Sequence, residues 1–168
     1  MKPGELVIRA VEERDHVAIH EILTSQHVIE GSMRVPYTPL EQTRRRLTPR
    51  PGVHQVVAEV GGEVVGFGEL VTHPEEPRER HVGEINMVAT RADWVGQGVG
   101  RALAEALIDL GENWLDLSRL WMLVFTDNAR AIALYESLGF EHEGTMRRMR
   151  FGPRTWTDAH VMARLRDL

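Results

Sequence analysis

The spacing of hydrophobic and polar positions along the chain changes period several times, and each change predicts an element. Leu6 to Ala10 is rich in β-forming residues and predicts a first strand. From Glu13 to about Ser25, Val17, Ala18, Ile19, Ile22 and Leu23 recur with helical spacing. Residues 26–37 have no period, contain Gly31 and Pro36, and carry more apolar side chains than a connector needs, so a pocket-lining loop is expected. Thr38-Pro39-Leu40-Glu41 offers an N-cap, a proline at the first helical position and a glutamate three after the cap; it predicts a second helix to about Leu47.

Pro49 and Pro51-Gly52 stop that helix. His54–Val60 and Glu63–Val71, joined by Gly61-Gly62, predict a hairpin. Val82 to Ala89 predicts a central strand. The next helix begins near Val99, with Leu103, Ala106, Leu107, Leu110 and Trp114 forming a stripe expected to face the core. Leu120–Phe125 is a continuous apolar run, as in a strand covered on both faces. Thr126-Asp127-Asn128 closes it and caps a helix in which Ala131, Leu134, Tyr135 and Leu138 repeat, and Gly139 ends that helix. Two last strands are expected over Phe140–Arg150 and Trp156–Leu165. The order β-α-α-β-β-β-α-β-α-β-β predicts an α/β fold: a mixed sheet of about seven strands with helices on both faces.

Composition narrows the function classes. The 168 residues suit one domain spanning 1–168, with 42% hydrophobic and 27% charged residues, an ordinary globular balance. A net charge of -5 argues against nucleic acid as a partner, and the arginine clusters at 44–46 and 147–150 read as a solvated helix face and a solvated strand. The chain has no cysteine, which excludes disulfides, thiolate metal sites and a cysteine nucleophile. His16 and His20 stand four apart but lack a third ligand, so no metal is expected. No apolar run approaches the ~18 residues of a membrane span, and the first residues lack a signal-peptide core. A cytoplasmic protein without a membrane partner is expected.

The candidate chemistry lies between Val88 and Arg101. A strand ends in a polar turn, glycines follow at 96, 98 and 100, and a helix begins. Exposed main-chain N–H groups and a helix N-terminus make such a junction suited to a phosphate or pyrophosphate. A P-loop needs Gly-Lys-Ser/Thr, which is absent; a dinucleotide fingerprint needs a glycine where Arg101 or Leu103 stands.

Val95-Gly96-Gln97-Gly98-Val99-Gly100 resembles the coenzyme A pyrophosphate loop of the GNAT acetyltransferases, Gln/Arg-x-x-Gly-x-Gly/Ala, departing from it at Val95. Further on, Asn128, Ala131, Tyr135, Gly139 and Phe140 match every named position of that family's Asn-x-x-Ala-x-x-x-Tyr-x-x-x-Gly-Phe. Glu112-Asn113-Trp114-Leu115 and the ending Asp158-Ala159-His160-Val161-Met162-Ala163-Arg164 are most similar to the bacterial L-amino-acid N-acetyltransferase group.

The resemblance implies the GNAT fold and transfer of acetyl from acetyl-CoA to an amine, with no metal. It implies that Val88, Ala89 and Thr90 meet the pantetheine arm, that Val95 to Arg101 hold the pyrophosphate, and that Asn128 and Ala131 position the cofactor. Tyr135 would be the general acid for the departing thiolate and Glu84 the general base for the ammonium, with the Val88 N–H meeting the oxyanion. Ile29, Glu30, Met33 and Tyr37 are the acceptor-pocket candidates, and Arg34 or Arg80 the candidates for holding a carboxylate. A free L-amino acid is the expected small-molecule acceptor. A polyamine, a protein N-terminus or a silent acyl-CoA sensor are the alternatives, and relatives that pair make a homodimer one option.

Overall fold

The computed structural model describes residues 4–167. In chain order the elements are β1 (Leu6–Ala10), α1 (His16–Leu23), α2 (Gln26–Glu30), α3 (Leu40–Leu47), β2 (Val53–Val60), β3 (Glu63–Thr72), β4 (Val82–Thr90), α4 (Val99–Asp109), β5 (Arg119–Phe125), α5 (Ala129–Ser137), β6 (Glu141–Gly152) and β7 (Thr155–Leu165). The strands form one sheet in the order β1-β2-β3-β4-β5-β7-β6. Every neighbouring pair is antiparallel except β4 and β5. The mixed sheet expected from the sequence is therefore present.

Two packed layers flank it. On one face Ile19, Ile22, Leu23 and Leu47 of α1 and α3 bury Val57, Val64 and Phe67. On the other, Val99, Leu103 and Leu107 of α4 pack against Ala58, Val65 and Leu70, and α5 adds Tyr135. Gly66 and Gly68 let α4 lie close to β3: a Cβ at Gly66 would stand 2.7 Å from Val99 Cγ1 and 2.9 Å from Leu103 Cδ1. That close packing fixes where the helix begins, and with it the glycine loop. The Gly61-Gly62 turn has φ of 58° and 83°, the two positive values that a type I′ hairpin needs.

The structure departs from the sequence reading in five places. Within 26–37, Gln26–Glu30 is a short helix, α2, too brief for a period to show. Thr38 is not the cap of α3; its hydroxyl donates to the Val35 carbonyl, and Pro39 is the N-cap. Trp114 leaves the core stripe and is 77% exposed. The reason is a π-helical turn over Leu110–Trp114, closed by Leu115 N–H to Leu110 O, whose wider turn rotates the tryptophan outward. β5 is not evenly covered on its two faces: Leu120, Met122 and Val124 point to α4 and α5 and are buried, while on the other face Trp121 and Leu123 are half-buried and Phe125 alone is buried. Finally, each arginine cluster holds one inward member. Arg46 ion-pairs with buried Glu69, and Arg150 stacks over the Phe125 ring at 4.1 Å while bonding Asp127 and the Glu30 carbonyl.

Candidate active site

The site begins as a failure of strand pairing. β4 and β5 run parallel, yet pair only at Val82–Arg119, Gly83–Leu120 and Glu84–Trp121. Beyond Glu84 they part, while β5 remains paired to β7 along its whole length. A bulge marks the place: Glu69 faces Met87 and Leu70 faces Ile85, so Asn86 is the extra residue in β4. A bulge bends its strand and sharpens its twist, which turns β4 away from β5 just where the pairing ends.

Two cavities fill the opening. One, about 790 Å³, is lined by Val88, Ala89, Thr90, Val95, Gly96, Gly98, Gly100, Arg101 and Arg130, among others. The other, about 520 Å³, is lined by Ser32, Met33, Arg34, Gln42, Arg46, Glu84 and Asn86, with Leu123 and Phe125 as apolar wall. Val88, Asn128, Ala131 and Tyr135 line both. The motif residues thus stand at the junction.

Local chemistry explains how α5 places Tyr135. Asn128 Oδ1 accepts from the Ala131 N–H at 3.1 Å, fixing the first turn. At the other end Gly139, φ 86°, sends its N–H to Glu136 O, and Phe140 sends its own to Tyr135 O. This is the Schellman pattern, and its usual hydrophobic contact is here the Phe140 ring on the Tyr135 ring, edge-on at 5.8 Å. Gly139 and Phe140 therefore hold the tyrosine in place through the helix stop that the sequence motif spells out. Burial pushes the Tyr135 phenol up to about 12, so it is a neutral donor across the physiological range. Its hydroxyl makes no hydrogen bond within the described residues.

The glycine loop is also divided in role. Gly96 and Gly98 have φ of 80° and 86°, with Gly98 the left-handed N-cap of α4. Gly100 has no such backbone need: it faces Thr90 Oγ1, Leu134 and Val88, and a Cβ there would stand 3.8–4.0 Å from them, in ordinary contact. Ala102 N–H already bonds Gly98 O; among the described residues the N–H groups of Val99, Gly100 and Arg101 have no acceptor. The Val99 side chain is buried in the core, Gln97 folds back onto the Asp93 carbonyl, and Arg101 reaches Ser137. Val95 is 43% exposed and lines the cavity without a polar group to offer.

Glu84 lies half-buried on the wall of the smaller cavity. Burial raises its carboxyl, the charge of Glu69 raises it further, and His73 works the other way; the net direction is up. Behind it sits a network that the sequence reading did not find. Glu69, 1% exposed, accepts from Asn86 Nδ2 at 2.6 Å, Gln55 Nε2 at 2.7 Å and Arg46 at 3.1 Å. Burial pushes the Glu69 pKa up, but the Arg46 charge and these donors outweigh it and hold the group below the ordinary glutamate range. A charged residue in an apolar strand, Gly66-Phe67-Gly68-Glu69-Leu70-Val71, was the available signal.

The acceptor candidates divide. Met33 lines the smaller cavity and Glu30 the larger one, whereas Ile29 lines neither and Tyr37 is fully exposed with φ 67°. Arg34 lines the smaller cavity; Arg80 is exposed in the β3–β4 connection. His20 is engaged by the Thr43 hydroxyl at 2.7 Å, packing α1 on α3.

Residues 16–140 match the model of the acetyltransferase (GNAT) family. The chain belongs to that family. It is 36% identical to the L-amino acid N-acetyltransferase AaaT of Escherichia coli strain K12 over 97% of this chain and 99% of the relative. It is 30% identical to the N-alpha-acetyltransferase RimI of Mycobacterium tuberculosis over 77% and 75% of the two chains. Among solved structures, the ribosomal-protein-alanine N-acetyltransferase of Brucella melitensis superposes with a TM-score of 0.83 at 27% identity, covering 95% of this chain and 99% of that one. The protein is thus an N-acetyltransferase by family, with the GNAT fold. Among its described residues no helix is long and apolar enough to cross a membrane.

Proposed function

We propose that the protein transfers the acetyl group of acetyl-CoA to the α-amine of a free L-amino acid. The observation that carries this reading is the junction: a buried neutral phenol, Tyr135, standing where a cavity lined by the glycine loop meets a second cavity lined by the Glu84 carboxylate. The larger cavity suits coenzyme A. Its pyrophosphate would take the free N–H groups at the start of α4, and its pantetheine arm the parted edge of β4 at Val88, Ala89 and Thr90. Asn128 and Ala131 border the arm.

In the reaction, the amine lone pair attacks the thioester carbonyl and a C–N bond forms. The nitrogen gives up its proton to Glu84, directly or through water. The oxyanion is met by a main-chain N–H of β4, that of Val88. The C–S bond then breaks, the sulfur leaves with the electron pair, and Tyr135 donates a hydrogen bond to it. The neutral phenol meets the departing sulfur as a hydrogen-bond donor, and can pass its proton to the thiolate as the charge develops.

The reading is supported by the L-amino acid relative and by the cavity's lining, in which Met33, Val35, Leu123 and Phe125 supply apolar surface beside Arg34, Gln42, Arg46 and Glu84. A turnover screen with acetyl-CoA across free L-amino acids, polyamines and short peptides tests it. Apolar amino acids are expected to be the best acceptors; activity confined to spermidine or peptides would overturn the reading.

The pH profile tests Glu84. Because its pKa is raised, the base form accumulates only above the ordinary glutamate range, so kcat/KM is expected to rise with pH through that shifted value. Glu84→Gln should lower the rate at neutral pH by about tenfold, below the usual general-base contribution of about 10²-fold or more because the amine loses its own proton as pH rises. The deficit should shrink in alkaline solution. An unchanged profile would remove Glu84 from the mechanism.

A further inference from the structure

The smaller cavity holds charges that do not cancel where they stand. Arg34 and Arg46 both line it. Arg46 has one carboxylate partner, Glu69, and its Nε is buried with no partner. Arg34 spends its Nε on the Leu23 carbonyl at 3.0 Å; within the described residues its two terminal nitrogens make no hydrogen bond. Burial holds the Arg34 pKa down, and the Arg46 charge adds to that, which means that the two guanidiniums repel one another, while the Glu69 carboxylate pairs with Arg46. Glu84 is not that missing partner, since the charges acting on it are those of His73 and Glu69. The cavity has a cationic corner and, apart from it, an acidic wall.

We propose that Arg34, backed by Arg46, is the carboxylate-reading element of the acceptor site. The inference rests on the acetyl-transfer reading above and names what that reading leaves open, the residues that select the acceptor. A guanidinium with a free fork pairs with a carboxylate through two parallel hydrogen bonds. A free amino acid placed this way puts its carboxylate in the cationic corner, turns its amine toward Glu84 and Tyr135, and lays its side chain on Met33, Leu123 and Phe125. A polyamine meets the same corner with a positive charge and is repelled. Glu69 has a supporting part: it holds Arg46 and Asn86 in the cavity wall without touching the acceptor.

The test compares three acceptors of one shape, L-leucine, L-leucinamide and isopentylamine, on the unaltered chain and on Arg34→Met. Arg34 is chosen because Arg46 is the partner of a buried carboxylate and its loss would disturb the fold. On the unaltered chain kcat/KM for the acid is expected to exceed that for the amide by about 30- to 100-fold, the worth of one charge-assisted pair. In Arg34→Met this preference should fall to within a few fold, through a raised KM for leucine, with acetyl-CoA binding retained. Equal turnover of acid and amide by the unaltered chain would overturn the proposal. So would a variant that loses activity on all three acceptors in proportion. If amino acids are acetylated but the variant keeps the acid preference, this inference alone fails; if only polyamines or peptides are acetylated, the acceptor assignment above fails with it.

Discussion

Tyr135→Phe is expected to lower kcat by about 10²- to 10³-fold, the range in which a positioned proton donor contributes. The ring stays, and with it the contact to Phe140 and the packing of α5, so melting temperature and acetyl-CoA affinity should hardly move. The loss should appear in kcat at saturating cofactor, measured by release of free thiol. Because the phenol titrates near 12, the unaltered chain should show no loss of activity attributable to it below about pH 11. A variant as fast as the parent would strip Tyr135 of a chemical role and leave it as a packing residue of its helix.

Glu69→Ala is expected to cost the fold a large part of its stability. It removes the acceptor for Arg46, Gln55 and Asn86 at once and leaves a guanidinium in a half-buried place without its carboxylate. Breaking a buried pair from one side costs about 3 kcal/mol, or roughly 6–12 °C in a chain of this size. Urea unfolding and thermal melts measure it. The pH dependence follows from the sign of the shift. The folded-state pKa of Glu69 lies below its unfolded value, so its contribution is complete above the ordinary glutamate pKa and is lost as pH falls through the folded one. The gap between parent and variant should close in acid. A gap that persists unchanged at low pH would mean that packing, and not the charge, is what the residue supplies.

The parts of the site that the sequence disclosed are those whose determinants are close together in the chain. Asn128, Ala131, Tyr135, Gly139 and Phe140 lie on one helix and its stop, so cap, ring and C-terminal turn are all written within thirteen residues. The glycines at 96 and 98 declare themselves for the same reason, through a local backbone need. The hidden parts are joined across the chain. Arg46 comes from α3, Gln55 from β2, Glu69 from β3 and Asn86 from a bulge in β4, and no spacing relates them. Arg46 also has two arginine neighbours that do face solvent, which makes the triplet look uniform. Trp114 was misread because a periodic stripe assumes a constant turn, and the π turn breaks that assumption. The short helix α2 was missed because five residues are too few to display a period, and tertiary contacts, including the Arg150 bond to the Glu30 carbonyl, hold it. The succession of strands and helices along the chain, and the presence of helices on both faces of a mixed sheet, were legible since long elements carry their own signature; the order of strands within the sheet was not, because it is set by pairing between distant segments.

The parting of β4 from β5 leaves two raw strand margins inside the molecule, where most proteins would tolerate none. Such margins on an outer surface invite other chains to add themselves. Here they face each other across a crevice lined by residues of α5 and of the α2 loop. What can enter is a thin, outstretched molecule carrying amides of its own, able to sit in the crevice as a surrogate strand. On the reading proposed above, the interrupted sheet is a receptor by subtraction, recognising its guest by the hydrogen bonds that its own backbone was left wanting.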